Sequence, residues 1–149
     1  MAPARRESRA RDKERSVNRT VSALVLDSEG FSAWIMEDRK VGRLIDSAQR
    51  NETDLVISAN TIIEVTHAGT KMSRLNWLLS RVKVEPVTEN SAKAAARLLK
   101  DAGLHGHKYA IDATVAEVAL RQEGHIALLT SDIDDMAKLC GDRVHLIAV

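Results

Sequence analysis

Four carboxylates stand where chemistry could gather. Asp27 directly follows the apolar run Val21-Ser22-Ala23-Leu24-Val25-Leu26, Glu64 lies in Thr61-Ile62-Ile63-Glu64, Asp112 lies in Tyr109-Ala110-Ile111-Asp112-Ala113, and Asp132 closes Thr130-Ser131-Asp132. Each has a bland reading. Asp27 and Asp132 suit helix N-caps, and Thr61 with Glu64 matches a capping box. Asp112 favours the positive end of a helix dipole. Together they say more, because unpaired carboxylates at one edge of a cleft repel by on the order of several kcal/mol. A divalent cation relieves that repulsion. All-oxygen donors select a hard ion, Mg²⁺ or Mn²⁺. Such an ion acidifies bound water and stabilises charge on a phosphodiester, so hydrolysis of that bond is the reaction these residues point to.

The elements around the acids must bring them together. Val21–Leu26 has strand length, and Phe31, Trp34 and Ile35 open a helical rhythm that Val41, Leu44, Ile45 and Ala48 continue. Asp54–Ile57 predicts a second strand, followed by the helix initiators Ser58, Asn60 and Thr61. A short helix there gives way near Gly69 to another around Leu75, Leu78 and Leu79. Val82–Val84 with Val87 reads as a third strand. Thr88 then caps a helix carrying Ala92, Ala95, Ala96 and Leu99, with Gly103 past its end. Ile111, Val115, Val118 and Ala119 mark another helix, with Asp112 near its start. Ile126–Leu129 is a fourth strand, Ile133–Leu139 a helix, and Val144–Ile147 a fifth strand.

Strands alternating with helices predict an α/β domain with a mostly parallel sheet and helices on both faces. Such sheets bind ligands beyond the carboxyl ends of their strands, where strand order reverses. Asp27, Glu64 and Asp132 share that edge by topology, and Asp112 joins them if its helix begins there.

The 149 residues are 44% hydrophobic and 29% charged, which excludes a wholly disordered or membrane-embedded chain. One domain is expected, over residues 21–149. Residues 1–20 hold seven basic and three acidic side chains without apolar periodicity, and read as a disordered basic arm. No stretch is apolar enough to span a bilayer or serve as a secretory signal. The single cysteine, Cys140, excludes an internal disulfide and fits a reducing, cytoplasmic setting.

The order and spacing of Leu26-Asp27-Ser28, Thr61-Ile62-Ile63-Glu64-Val65, Tyr109–Ala113 and Leu129-Thr130-Ser131-Asp132-Ile133-Asp134-Asp135 resemble those of a PIN domain, and more narrowly of VapC ribonuclease toxins. The likeness spans residues 21–149. It implies a PIN-like three-layer α/β/α fold with five strands, a Mg²⁺- or Mn²⁺-dependent endoribonuclease, a homodimer, and neutralisation by a small VapB-like antitoxin. Carried over by position, Asp27, Asp112 and Asp132 would hold the metal, Glu64 would act directly or through a water, and Thr130 would orient the attacking water. Asp135 is an auxiliary candidate.

Other residues carry less. His105-Gly106-His107 lacks further ligands at metal spacing and reads as a loop before a helix, with His107 and Lys108 candidates for RNA phosphate contact. Arg39, Lys40, Arg43, Lys71, Arg74, Arg97 and Lys100 read as solvated helix faces, some skirting an RNA path. Phe31, Trp34 and Ile35 are expected to be core in part, with any exposed portion suiting an antitoxin or dimer contact. Cys140 reads as a buried hydrophobe. A phosphorylatable receiver domain fails, because the third strand runs into Glu85-Pro86 and no lysine follows the fifth. A dinucleotide-binding module fails for want of Gly-x-Gly-x-x-Gly after the first strand. A catalytically silent PIN-like binding module is the remaining alternative.

Overall fold

The computed structural model describes residues 21–149; the basic arm expected at 1–20 lies outside them. Five strands, β1 (Val21–Leu26), β2 (Asp54–Ser58), β3 (Lys83–Glu85), β4 (His125–Thr130) and β5 (His145–Ala148), form one sheet of order β3-β2-β1-β4-β5. Every neighbouring pair is parallel. The expected α/β class therefore holds.

Seven helices complete the described chain: α1 (Ser28–Ile35), α2 (Arg39–Arg50), α3 (Ala59–Val65), α4 (Met72–Leu79), α5 (Glu89–Ala102), α6 (Gly106–Arg121) and α7 (Ile133–Cys140). They divide between the two faces because strand side chains alternate. On β1, Ala23 and Val25 join a core with Ala95, Leu99, Val115, Val118, Met136 and Leu139, from α5, α6 and α7. Leu24 and Leu26 join the opposite core with Phe31, Ile45, Val65, Leu75 and Leu78, from α1 to α4. The result is three layers, helix on sheet on helix.

The helical rhythm from Phe31 to Ala48 is split in two. Glu37 adopts a left-handed φ of 60°, and Asp38 starts α2 by accepting the Val41 N–H at 2.9 Å. Arg74 is no solvated face. Its guanidinium donates to the carbonyls of Ile35 (2.7 Å) and Trp34 (2.9 Å), satisfying the end of α1 that the break leaves open. Phe31 is fully buried and Trp34 and Ile35 are each 8% exposed, with the two rings edge to face at 6.0 Å, so all three belong chiefly to the core.

The third strand lies one residue later than Val82–Val84, because Lys83, Val84 and Glu85 are the residues that pair with Val56, Ile57 and Ser58 of β2; the Glu85 carboxylate pairs with Lys83 (2.8 Å) and Arg121 (3.2 Å). Thr88 and Ser91 cap α5 reciprocally, and Gly103 ends it at a φ of 67°. Cys140 is buried, and burial pushes its thiol up to about 11, so it is inert as a nucleophile near neutral pH.

Candidate active site

Strand order reverses between β1 and β4. The chain moves from β1 through β2 to β3 on one side, then crosses to β4 and β5 on the other. The carboxyl ends of β1 and β4 therefore flank the crevice that ligands favour in open parallel sheets. Asp27 follows β1, and the Thr130-Ser131-Asp132 turn follows β4. The Asp27 N–H donates to the Leu129 carbonyl at 3.1 Å, which joins the two strand ends just below the crevice.

Asp27 is only 3% exposed. One carboxylate oxygen accepts the Gly30 N–H at 2.8 Å and caps α1; the other accepts the Ser131 N–H at 3.3 Å. The bland reading as a cap is thus correct, yet the same side chain also pins the loop after β4. Gly30 allows this close approach, since a Cβ there would sit 3.1 Å from the Leu129 side chain. Burial pushes the Asp27 carboxyl up, and hydrogen bonds from Thr130, Gly30 and Ser131 pull it back.

Thr130 is fully buried. Its hydroxyl oxygen accepts the Asp132 N–H at 3.0 Å, and the hydroxyl bonds to Asp27. A hydroxyl has one proton to give. Given to Asp27, that proton makes Thr130 a link between the Asp27 carboxylate and the Asp132 backbone.

Asp132 stands at the start of α7 but makes no side-chain capping bond, and it is exposed. Glu64 likewise caps nothing. Ser58 opens α3 by accepting the Asn60 N–H, so Thr61 is already inside the helix and the expected capping box does not form. The exposed Glu64 carboxylate instead accepts the Ser28 hydroxyl at 3.2 Å, across the gap between α3 and the start of α1. Ser28 is the residue that sequence reasoning passed over. Its signal was its place, immediately after an acid at a strand's carboxyl end.

Asp112 sits deeper in its helix than expected. The His105-Gly106-His107 segment is no loop: α6 begins at Gly106, almost two turns before Asp112. α3 packs against both α1 and α6, which brings Glu64 and Asp112 to the same crevice. Half-buried Asp112 has its carboxyl pushed up to about 6, first by burial and then by the charges of Asp132, Glu64, Asp27 and Asp135. The other three expected acids therefore all act on Asp112, and Asp135 joins them.

The donor set is entirely oxygen and suits a hard divalent cation, whose charge would remove the repulsion felt at Asp112. Among the described residues, no three His, Cys, Asp or Glu side chains stand close enough as they are to hold one ion. Gathering an ion at this rim requires side-chain rotation, which the exposed Glu64 and Asp132 can undergo.

No helix among the described residues is long and apolar enough to cross a membrane. The PIN domain family matches residues 24–141. No curated protein sequence matches the chain. Among solved structures the chain is similar to VapBC2 from Rickettsia felis bound to a DNA fragment from their promoter. That likeness has a TM-score of 0.62 at 14% identity, and covers 85% of this chain and 98% of the other.

Proposed function

The chain belongs to the PIN domain family, and from that premise we propose that it is a Mg²⁺- or Mn²⁺-dependent endoribonuclease, the toxin of a type II toxin–antitoxin pair restrained by a VapB-like antitoxin. The observation that carries the reading is the Asp112 carboxyl, raised to about 6 with Asp132, Glu64, Asp27 and Asp135 among its causes. Carboxylates crowded at a switch-point crevice have no structural use for their mutual repulsion, and clusters of this kind mark functional sites.

Asp27, Asp112 and Asp132 would hold the ion, with Glu64 ligating directly or through a water. When bound, the ion supplies an acidified water and stabilises charge on the phosphodiester. The remaining work falls to the chain. Asp27 is fixed by the Gly30 and Ser131 N–H groups, so the deepest carboxylate is pre-oriented. Thr130 ties Asp27 and the Asp132 backbone into one unit. Ser28 steadies Glu64 from the opposite side. Carboxylates alone would repel a polyanionic substrate, so RNA can approach this rim only with cationic help.

The similarity to a VapBC complex supports an antitoxin partner. The toxin reading also implies a homodimer and a cytoplasmic site of action. The test is incubation of the purified protein with total RNA in Mg²⁺, Mn²⁺ or chelator, followed by mapping of cleaved ends. Cleavage is expected with either ion, and neither in chelator nor with Asp112→Asn. Binding of RNA without cleavage under every condition would instead select the catalytically silent module.

A further inference from the structure

Near the acidic rim lies a cleft of about 560 Å³ with an apolar floor of Val41, Leu44, Leu129, Ile147 and Ala148, edged by the cations Arg39, Lys40 and Arg43 of α2. We infer that this cleft seats the phosphodiester backbone of single-stranded RNA, with Arg39, Lys40 and Arg43 as its phosphate contacts; the inference rests on the ribonuclease reading above and says where the substrate lies.

Backbone hydrogen bonds tie the cleft floor to the strand ends that carry the rim. Leu129, part of that floor, accepts the Asp27 N–H through its carbonyl at 3.1 Å and immediately precedes Thr130. The Val149 N–H donates to the Thr130 carbonyl at 3.1 Å, which holds the last strand against the same turn. Leu129 and Ala148 thus place the cleft at the β4–β5 end of the sheet edge that carries Asp27 and Asp132.

The three cations bring the fold no benefit. They crowd the first turns of α2, where the helix dipole disfavours positive charge, and the first turn holds no acidic residue. Arg39 and Arg43 are four residues apart, a spacing at which like charges destabilise a helix. Among the described residues none of the three takes part in an ion pair. The nearest acid in sequence, Asp38, has a carboxylate oxygen engaged by the Val41 N–H. All three are exposed. An external polyanion explains the cluster, where internal stability does not.

The lining also sets the kind of contact. It contains no aromatic residue on which a base could stack. Phosphate contacts position a strand without reading its sequence. The cleft therefore binds backbone, and sequence preference arises elsewhere.

The test compares Arg39→Gln/Lys40→Gln/Arg43→Gln with Arg50→Gln/Lys93→Gln/Arg143→Gln, a control removing equal charge from exposed positions elsewhere. Affinity for a labelled single-stranded oligoribonucleotide is measured in chelator against KCl concentration, and cleavage is measured in Mg²⁺. At ~0.7 counterions per phosphate contact, the cleft variant should flatten the log–log salt slope by about 2. It should raise KM about tenfold while kcat changes little, across RNAs of different sequence, without lowering Tm. The control should track the wild type. An unchanged salt slope and KM in the cleft variant, or an equal loss in the control, would overturn the inference. If wild-type protein binds RNA with the cleft-dependent slope yet cuts nothing, the cleft stands and the nuclease reading falls.

Discussion

Replacing Asp112 by Asn should stabilise the ion-free protein while abolishing RNA cleavage. The wild-type carboxyl is pushed from 3.8 to about 6, by burial first and by Asp132, Glu64, Asp27 and Asp135 after it. A rise of that size corresponds to about 3 kcal/mol at ~1.4 kcal/mol per tenfold change in acidity. Asp112 is only half-buried, so solvent screening reduces the recoverable part to about 1 kcal/mol. The sign follows from proton linkage. The folded state binds the Asp112 proton more tightly than the unfolded chain, so the penalty is absent below the ordinary aspartate range. It grows as pH rises from about 4 and is complete above about 6. Asn carries no charge at any pH. Urea denaturation in chelator should therefore find the variant more stable by about 1 kcal/mol at about pH 7.5, with the gap closing as pH falls toward 4. Added Mg²⁺ should reverse the ranking by stabilising the wild type alone. A variant less stable than wild type in chelator, or a gap independent of pH, would refute the claim that these acids repel one another.

Two further substitutions separate position from charge. Asp27→Asn should keep the α1 cap, since asparagine caps as well as aspartate, yet lose cleavage, whereas Asp27→Ala should also cost about 1–2 kcal/mol in urea denaturation; equal stability of the two would refute the cap's contribution. Thr130→Val removes the hydroxyl that serves Asp27 and the Asp132 N–H. It should destabilise by about 1–3 kcal/mol and lower cleavage, and Thr130→Ser should restore both; failure of serine to rescue would show that the hydroxyl is not the operative group.

The layer order and all five strands were legible because apolar runs alternate with amphipathic helices, and parallel pairing leaves few ways to connect them. The carboxyl-edge location of Asp27 and Asp132 followed from the same topology. Local capping was harder to read. Thr61 and Glu64 matched a capping pattern, but β2 extends to Ser58, whose hydroxyl takes the cap and leaves Glu64 unengaged by it. The first turn of α6 is polar, with Gly106, His107 and Lys108 hiding its start, so the depth of Asp112 in the helix could not be seen. The break at Glu37 has neither glycine nor proline to announce it, and only the Asp38 cap marks it. Arg74 looked like surface charge because its partners are carbonyls about 40 residues away. The basic cluster of α2 could be listed from the sequence, but its seat against the ends of β4 and β5 depends on tertiary packing.

Direct titration of Mn²⁺ into chelator-stripped protein, followed by electron paramagnetic resonance of the free ion, tests the central claim most simply. Wild-type protein should take up Mn²⁺ and release it to Mg²⁺, and both Asp27→Asn and Asp112→Asn should bind it far more weakly while remaining folded. Uptake by both variants equal to that of the wild type would show that the acids around the β1–β4 crevice do not hold the ion.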